Sequence, residues 1–279
     1  MPRRFVAVAA LAAIALVASC SSDDNAEPPA VNVTTTSGSR TSTSTVPAQP
    51  LHVLVTNDDG VDAPGIDALV EALRKLPDTT VTVVAPAKNQ SGTGSKTTSG
   101  AFPMVTDTTT ASGYPAKAVD GFPADTIVWA IDKHGVATRP DVVLSGVNFG
   151  QNIGLTVDIS GTVGAARAAA RRGIPALAIS AGLAGSPAYG IGARQAVAWL
   201  TKHRAELRDT EATVTNLNIP TCPTGKPRKL VVVPIAGDDE NPIADVSCTG
   251  PAPAPTTDVG SFRNGYIVET DDVPLRPAA

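Results

Sequence analysis

The chain has 279 residues, of which 42% are hydrophobic, with 24 glycines, 24 prolines and a formal net charge of −4. That suits one good-sized globular domain carrying a stretch that does not fold on its own. An acidic balance with no basic run and no basic amphipathic helix argues against a partner that is a nucleic-acid polymer or an anionic lipid surface, whereas small anionic substrates stay open because a bound cation sets the local field whatever the net charge.

Arg3 and Arg4 precede an apolar stretch from Phe5 to Ala18, which closes on Val17-Ala18-Ser19-Cys20. Residues 1–19 thus read as an export signal of the bacterial lipoprotein type, with lipid carried on Cys20. A transmembrane anchor is the competing reading, but the stretch is short for a span of ~20 residues and polar residues follow at once. Removing 1–19 takes away two arginines and no acid, moving the formal charge from −4 to −6. Residues 20–50 are rich in Ser, Thr, Pro and Ala and contain no aromatic side chain, so they cannot bury enough surface to offset chain ordering and read as a disordered tether.

From Leu51 to the end, residues 51–279, strand and helix signals alternate. Val53–Thr56 reads as a strand and Pro64–Leu76 as a helix with Ile66, Leu69, Val70, Leu73 and Leu76 on one face. Val81–Ala85 is a second strand, followed by a Ser/Thr/Gly-rich loop, a helix over Ala124–Lys133 and a strand over Asp141–Ser145. Thr162–Arg172 reads as helix, Ala176–Ser180 as strand and Ala188–His203 as helix. Short apolar strands separated by helices imply a largely parallel sheet in an α/β fold, covered by helices on both faces. Val214–Ile219 and Lys229–Val233 then follow with little helix, which points to a β-rich C-terminal extension or arm. With Cys20 given to lipid, Cys222 and Cys248 remain as a pair, read as a disulfide in an oxidising compartment, with two buried thiols as the alternative.

Three polar loops leave the carboxyl ends of these strands. The first carries Asn57, Asp58 and Asp59, the second Asn89, Gln90, Ser91 and Gly92, and the third runs from Ser145 through Asn148 and Asn152 to Gly154. In open α/β sheets ligands bind at such ends, and adjacent carboxylates repel unless a cation or a shared proton neutralises them. Converging, the loops would gather hard oxygen donors suited to Mg²⁺, Mn²⁺ or Ca²⁺ rather than zinc. Asn-Asp-Asp-Gly is also good turn chemistry, so a plain turn competes. Ser160-Gly161-Thr162 opens a helix and could hold an anion on free backbone N–H groups, or simply cap it.

Leu54–Ile66 (LVTNDDGVDAPGI), Val84–Gly92 (VAPAKNQSG), Arg139–Asn148 (RPDVVLSGVN) and Ser160–Thr162 (SGT) together resemble the successive signatures of the SurE family of 5′/3′-nucleotidases; Asn216–Pro220, Thr257-Asp258 and Gly265–Val268 resemble its later segments. The resemblance implies a Rossmann-like fold and a metal-dependent phosphomonoesterase that hydrolyses nucleoside 5′- or 3′-monophosphates to nucleoside and phosphate. It implies one divalent cation, Mg²⁺ or Mn²⁺, on Asp58, Asp59, Ser91 and Asn148, with Asp58 and Asp59 as the catalytic pair. Asn57, Asn152, Ser160, Gly161 and Thr162 would line the phosphate pocket, and the protein would be a homodimer or tetramer exchanging C-terminal arms. Asp62 stands where the family usually has His, and Ile153–Ile159 carries fewer acids than the family pattern. The leader contrasts with a largely cytoplasmic family and places this protein outside the cell, lipid-anchored to the outer face of the cell membrane, acting on a nucleoside monophosphate or another phosphate ester. His52, His134 and His203 lie outside the loops, and no Gly-x-Ser-x-Gly nucleophile elbow is present. The competing functions are a non-catalytic nucleotide- or phosphate-binding lipoprotein, a structural envelope protein, and a broad-range acid phosphatase.

Overall fold

The computed structural model describes residues 49–276 apart from 184, 239 and 244. The signal read over 1–19, Cys20 and all but the last two residues of the tether lie outside the described residues. Leu51–Thr56 forms strand β1, buried along nearly its whole length, so it belongs in the middle of a sheet covered on both faces. In chain order there follow α1 (Pro64–Leu73), β2 (Thr79–Pro86), β3 (Val105–Thr109), β4 (Pro115–Val119) and α2 (Pro123–Ile127), which runs into a π-helical turn over Val128–Asp132. Next come β5 (Val142–Phe149), α3 (Thr156–Ile159), α4 (Gly161–Ala170), β6 (Ala176–Ala181), α5 (Tyr189–His203), β7 (Val214–Ile219), β8 (Arg228–Val232), α6 (Asp258–Arg263) and β9 (Tyr266–Thr270).

The nine strands lie in the order β3-β4-β2-β1-β5-β6-β7-β9-β8. Pairing is parallel except for β3 on β4 and β9 on β7. One face packs Val53, Val55 and Leu144 against Ile66, Leu69 and Leu73 of α1 and Leu200 of α5. The other packs Leu54, Val84 and Val143 against Ile127 of α2 and Ala165 and Ala169 of α4. Ile153 joins Val259, Phe262 and Val268 in a third, smaller core that seats the C-terminal strands. The result is a Rossmann-like α/β fold. After β1 the chain builds β2 and β4 on one side, then returns to place β5 on the other, so the carboxyl ends of β1 and β5 flank a topological switch point.

Several elements differ from the sequence expectations, each for a physical reason. The first helix stops at Leu73 rather than Leu76, because Leu76 precedes Pro77 and is kept out of the α region. The Ser/Thr/Gly-rich loop contains the β3–β4 hairpin, whose polar turn is pinned to α1 by Asp67 accepting from Thr110 Oγ1 at 2.8 Å and Ser112 Oγ at 2.6 Å. The helix expected over 124–133 loses α geometry after Ile127. Strand β5 continues past Ser145 to Phe149 with a register shift between Ser145 and Asn148, so Asn148 sits in an irregular strand end rather than in the loop expected after Leu144. The C-terminal strands extend the main sheet, β9 pairing with β7 and β8 with β9. Cys222 and Cys248 are joined in a disulfide with a Cα–Cα distance of 5.7 Å.

Candidate active site

Strand β1 delivers Asn57-Asp58-Asp59-Gly60 at its carboxyl end. Asn57 is fully buried, and both ends of its amide are spent on the turn: Nδ2 donates to Gly60 O at 2.7 Å and Oδ1 accepts from Gly60 N–H at 3.3 Å. It therefore braces the turn that carries the acid pair. Gly60 sits at φ +112°, a conformation that L side chains rarely adopt.

Asp58 points inward. Its Oδ1 accepts from Thr162 Oγ1 at 2.6 Å, and it also takes the Thr162 backbone N–H at the start of α4. A Cβ on Gly161 would lie 2.8 Å from Asp58 Cβ and 2.9 Å from Oδ2, so only glycine lets this helix end approach the carboxylate. Ser160 Oγ accepts from Val163 N–H at 3.1 Å and is the cap of α4. At this helix end Ser160 caps, Gly161 makes room and Thr162 holds Asp58, so the N-terminal field of α4 is shared with Asp58.

Asp59 faces the third loop. Its Oδ2 accepts from Phe149 N–H at 2.8 Å and its Oδ1 from Asn89 Nδ2 at 3.3 Å. Asn89 in turn takes Ser91 N–H on its Oδ1 at 3.0 Å, and Gln90 N–H donates to Asp58 O at 2.7 Å. The loop after β2, Ser91 included, is thereby tied onto the acid pair. Asn148 donates to Gly150 O at 2.6 Å, while its buried Oδ1 has no partner among the described residues.

Asn152 is held farther along, with Nδ2 donating to Ser180 Oγ at 2.8 Å, N–H to Asn218 Oδ1, and O accepting from Asn216 and Asn218 amides. Asp258 of α6 accepts from Gly154, Ala236 and Val259 N–H groups. Asn216, Asn218 and Asp258 lie in segments that the resemblance covers but to which the sequence assigned no role; the structure shows them holding the third loop. Asp62 is exposed beside Gly60.

Burial raises the Asp58 carboxyl to about 6, opposed by the Thr162 hydroxyl and reinforced by Asp59. Asp59 is also raised by burial, against the pull of Phe149 N–H. Among the described residues neither acid has a Lys or Arg partner, and no cluster of three or more His, Cys, Asp or Glu exists. The donors are all oxygen: two carboxylates that burial leaves short of countercharge, and a buried Asn148 Oδ1 without a proton donor. Such a set fits a hard divalent cation.

A Rossmann-like sheet with polar loops at its switch point places the chain among the open α/β proteins, which bind their ligands at that edge. The profile of the family described as Survival protein SurE matches residues 53–239, and the chain belongs to that family. It is similar to the 5′-nucleotidase SurE of Pelobacter propionicus, 38% identical over 183 residues that cover 65% of this chain and 71% of the other. The 5′-nucleotidase SurE of Dehalococcoides mccartyi is 33% identical over 239 residues, 78% and 86% of the two chains, and that of Methanopyrus kandleri 44% over 131 residues, 47% and 48%. In three dimensions the crystal structure of the SurE protein from Aquifex aeolicus superposes with a TM-score of 0.63 and 29% identity, covering 81% of this chain and 94% of that one.

The raised Asp58 pKa has a consequence for the metal-free fold. The folded carboxyl holds its proton up to about pH 6 while the unfolded one releases it near the ordinary value, so the buried charge costs stability above pH 6 and nothing below the unfolded pKa. Asp58→Asn is expected to melt higher than wild type in chelator at pH 7.5, by the equivalent of ~1–3 kcal/mol, with the gain shrinking towards pH 4. A variant less stable than wild type at pH 7.5 would contradict this.

Proposed function

We propose that this protein is a metal-dependent nucleotidase that hydrolyses nucleoside 5′- or 3′-monophosphates to nucleoside and phosphate outside the cell. The observation that carries the reading is the adjacent pair of buried Asp58 and half-buried Asp59, without a cationic partner among the described residues, tied through Phe149 N–H to the strand end that carries Asn148, whose buried Oδ1 has no hydrogen-bond partner among the described residues. Asp58, Asp59 and Asn148, with Ser91 from the loop tied to them, would hold one cation, Mg²⁺ or Mn²⁺. When bound, it supplies Lewis-acid stabilisation of the charge that develops on the phosphoryl oxygens.

The remaining chemistry belongs to the chain. Thr162 and the N-terminus of α4 fix one oxygen of Asp58. Phe149 N–H and Asn89 fix the Asp59 carboxylate in the same way. Donors fixed before the ester arrives need no reorganisation in the transition state, which is where electrostatic catalysis gains most. The first turn of α4 adds a positive field towards a phosphate dianion. No side chain needs to become covalently attached: attack by water in line with the leaving oxygen suffices for a phosphomonoester.

Export and lipidation belong to the same proposal. They are supported by Arg3-Arg4, the apolar run to Ala18 and Cys20, and by the Cys222–Cys248 disulfide, a bond that persists in oxidising compartments.

Two experiments test the proposal. Phosphate release from 5′- and 3′-nucleotides should vanish on chelation and return with Mg²⁺ or Mn²⁺, and Asp59→Asn should lower turnover at least ~10²-fold; equal activity in the two proteins would refute it. In cells, Cys20→Ser should shift the protein from the membrane fraction to the soluble one, and unchanged membrane association would remove the lipid anchor from the account.

A further inference from the structure

The third loop leads from the acid pair into a second feature. Three residues past Asn148, Gln151 lines a cavity of about 280 Å³ together with Leu183, Thr221, Pro223, Ile243 and Asp245. A Cβ on Gly150 would lie 3.2 Å from Leu183 Cδ2 and 3.9 Å from Asn148 Nδ2, so the Leu183 wall of the cavity stands beside the strand end whose Phe149 N–H is bound to Asp59.

The walls are built rather than incidental. Gln151 Oε1 accepts from Leu183 N–H at 3.2 Å and its Nε2 donates to Pro242 O at 3.0 Å, tying the loop after β6 and the segment before Ile243 to the third loop. Thr221 Oγ1 donates to Gly182 O at 2.7 Å, joining the ends of β6 and β7. Pro223 follows Cys222, so the disulfide to Cys248 closes the stretch that contributes Ile243 and Asp245. With Gln151 and Thr221 spent on these ties, the cavity offers its visitor two kinds of surface. Leu183, 47% exposed, and Ile243, 68% exposed, are large apolar side chains open to contact. Asp245 is an acceptor that makes no ion pair among the described residues. A mostly apolar hollow with one well-placed polar group is the usual form of a small-molecule site.

We propose that this cavity receives the leaving nucleoside, with the flat base against Leu183 and Ile243 and Asp245 accepting hydrogen bonds from sugar hydroxyls or base N–H groups. The inference rests on the nucleotidase reading and adds a selectivity to it. Leaving groups rich in hydroxyls or N–H are favoured, and those bearing a second anionic group at the cavity are rejected by Asp245.

The test is the double variant Ile243→Ala/Asp245→Ala, whose positions lie outside the acid-pair site. For a nucleoside monophosphate, KM should rise ~10-fold or more with kcat unchanged, while glycerol 2-phosphate, too small to fill the cavity, should be hydrolysed as by wild type. Equal changes for both esters, or no change for either, would overturn the assignment. Calorimetric titration with free adenosine and cytidine in chelator decides it independently of turnover: binding by wild type that is lost in the variant supports the cavity, and absence of binding to wild type, or equal binding to both, overturns it. Should no ester be hydrolysed by wild type, the nucleotidase reading falls, and the titration still answers for the cavity.

Discussion

Two adjacent carboxylates, buried Asp58 and half-buried Asp59, share one turn, where desolvation raises both and the Asp59 charge adds to the cost of ionising Asp58. Nearly every polar contact around the switch point answers that repulsion. Thr162 and the N-terminus of α4 serve Asp58, Phe149 N–H and Asn89 serve Asp59, and Asn57 and Gly60 hold the turn that joins them. These contacts oppose the desolvation without cancelling it, since both carboxyls stay above their ordinary range. A protein that keeps such a pair accepts a local loss of stability, and on the proposed function the return is a pre-set field for a divalent cation.

The same logic explains why the C-terminal strands are fastened to the sheet rather than left as a free arm. Asp258 gathers N–H groups from the third loop, from the segment after β8 and from its own helix, while burial and the charge of Glu240 raise its carboxyl. Asn216 and Asn218 of β7 hold the backbone of Asn152. The third loop, which contributes Asn148 at one end and a cavity wall at the other, is thus fixed along its length by residues distant in sequence. Changes in the extension should be felt at the acid pair through this loop.

Much of this was legible in the chain alone where burial on both faces left a largely apolar run, as in β1 and β6, and where a polar loop followed such a run. That the ends of β1 and β5 meet at one edge could be anticipated because parallel strands send their carboxyl ends the same way. What stayed hidden depends on partners far along the sequence. Nothing local shows that Thr162 is committed to Asp58, that the Asn57 amide is consumed by Gly60, or that β5 runs through its irregularity to Phe149. The β3–β4 hairpin carries Thr and Asp on an exposed face and so lacks the alternation that marks a half-buried strand.

The account is tested most directly by crystals of the protein soaked in Mn²⁺, with diffraction recorded at the manganese absorption edge. One anomalous peak within coordinating distance of Asp58, Asp59 and Asn148 is the expected result. No peak there, or an ion bound only elsewhere, would contradict the claim that the acid pair is built to hold a metal.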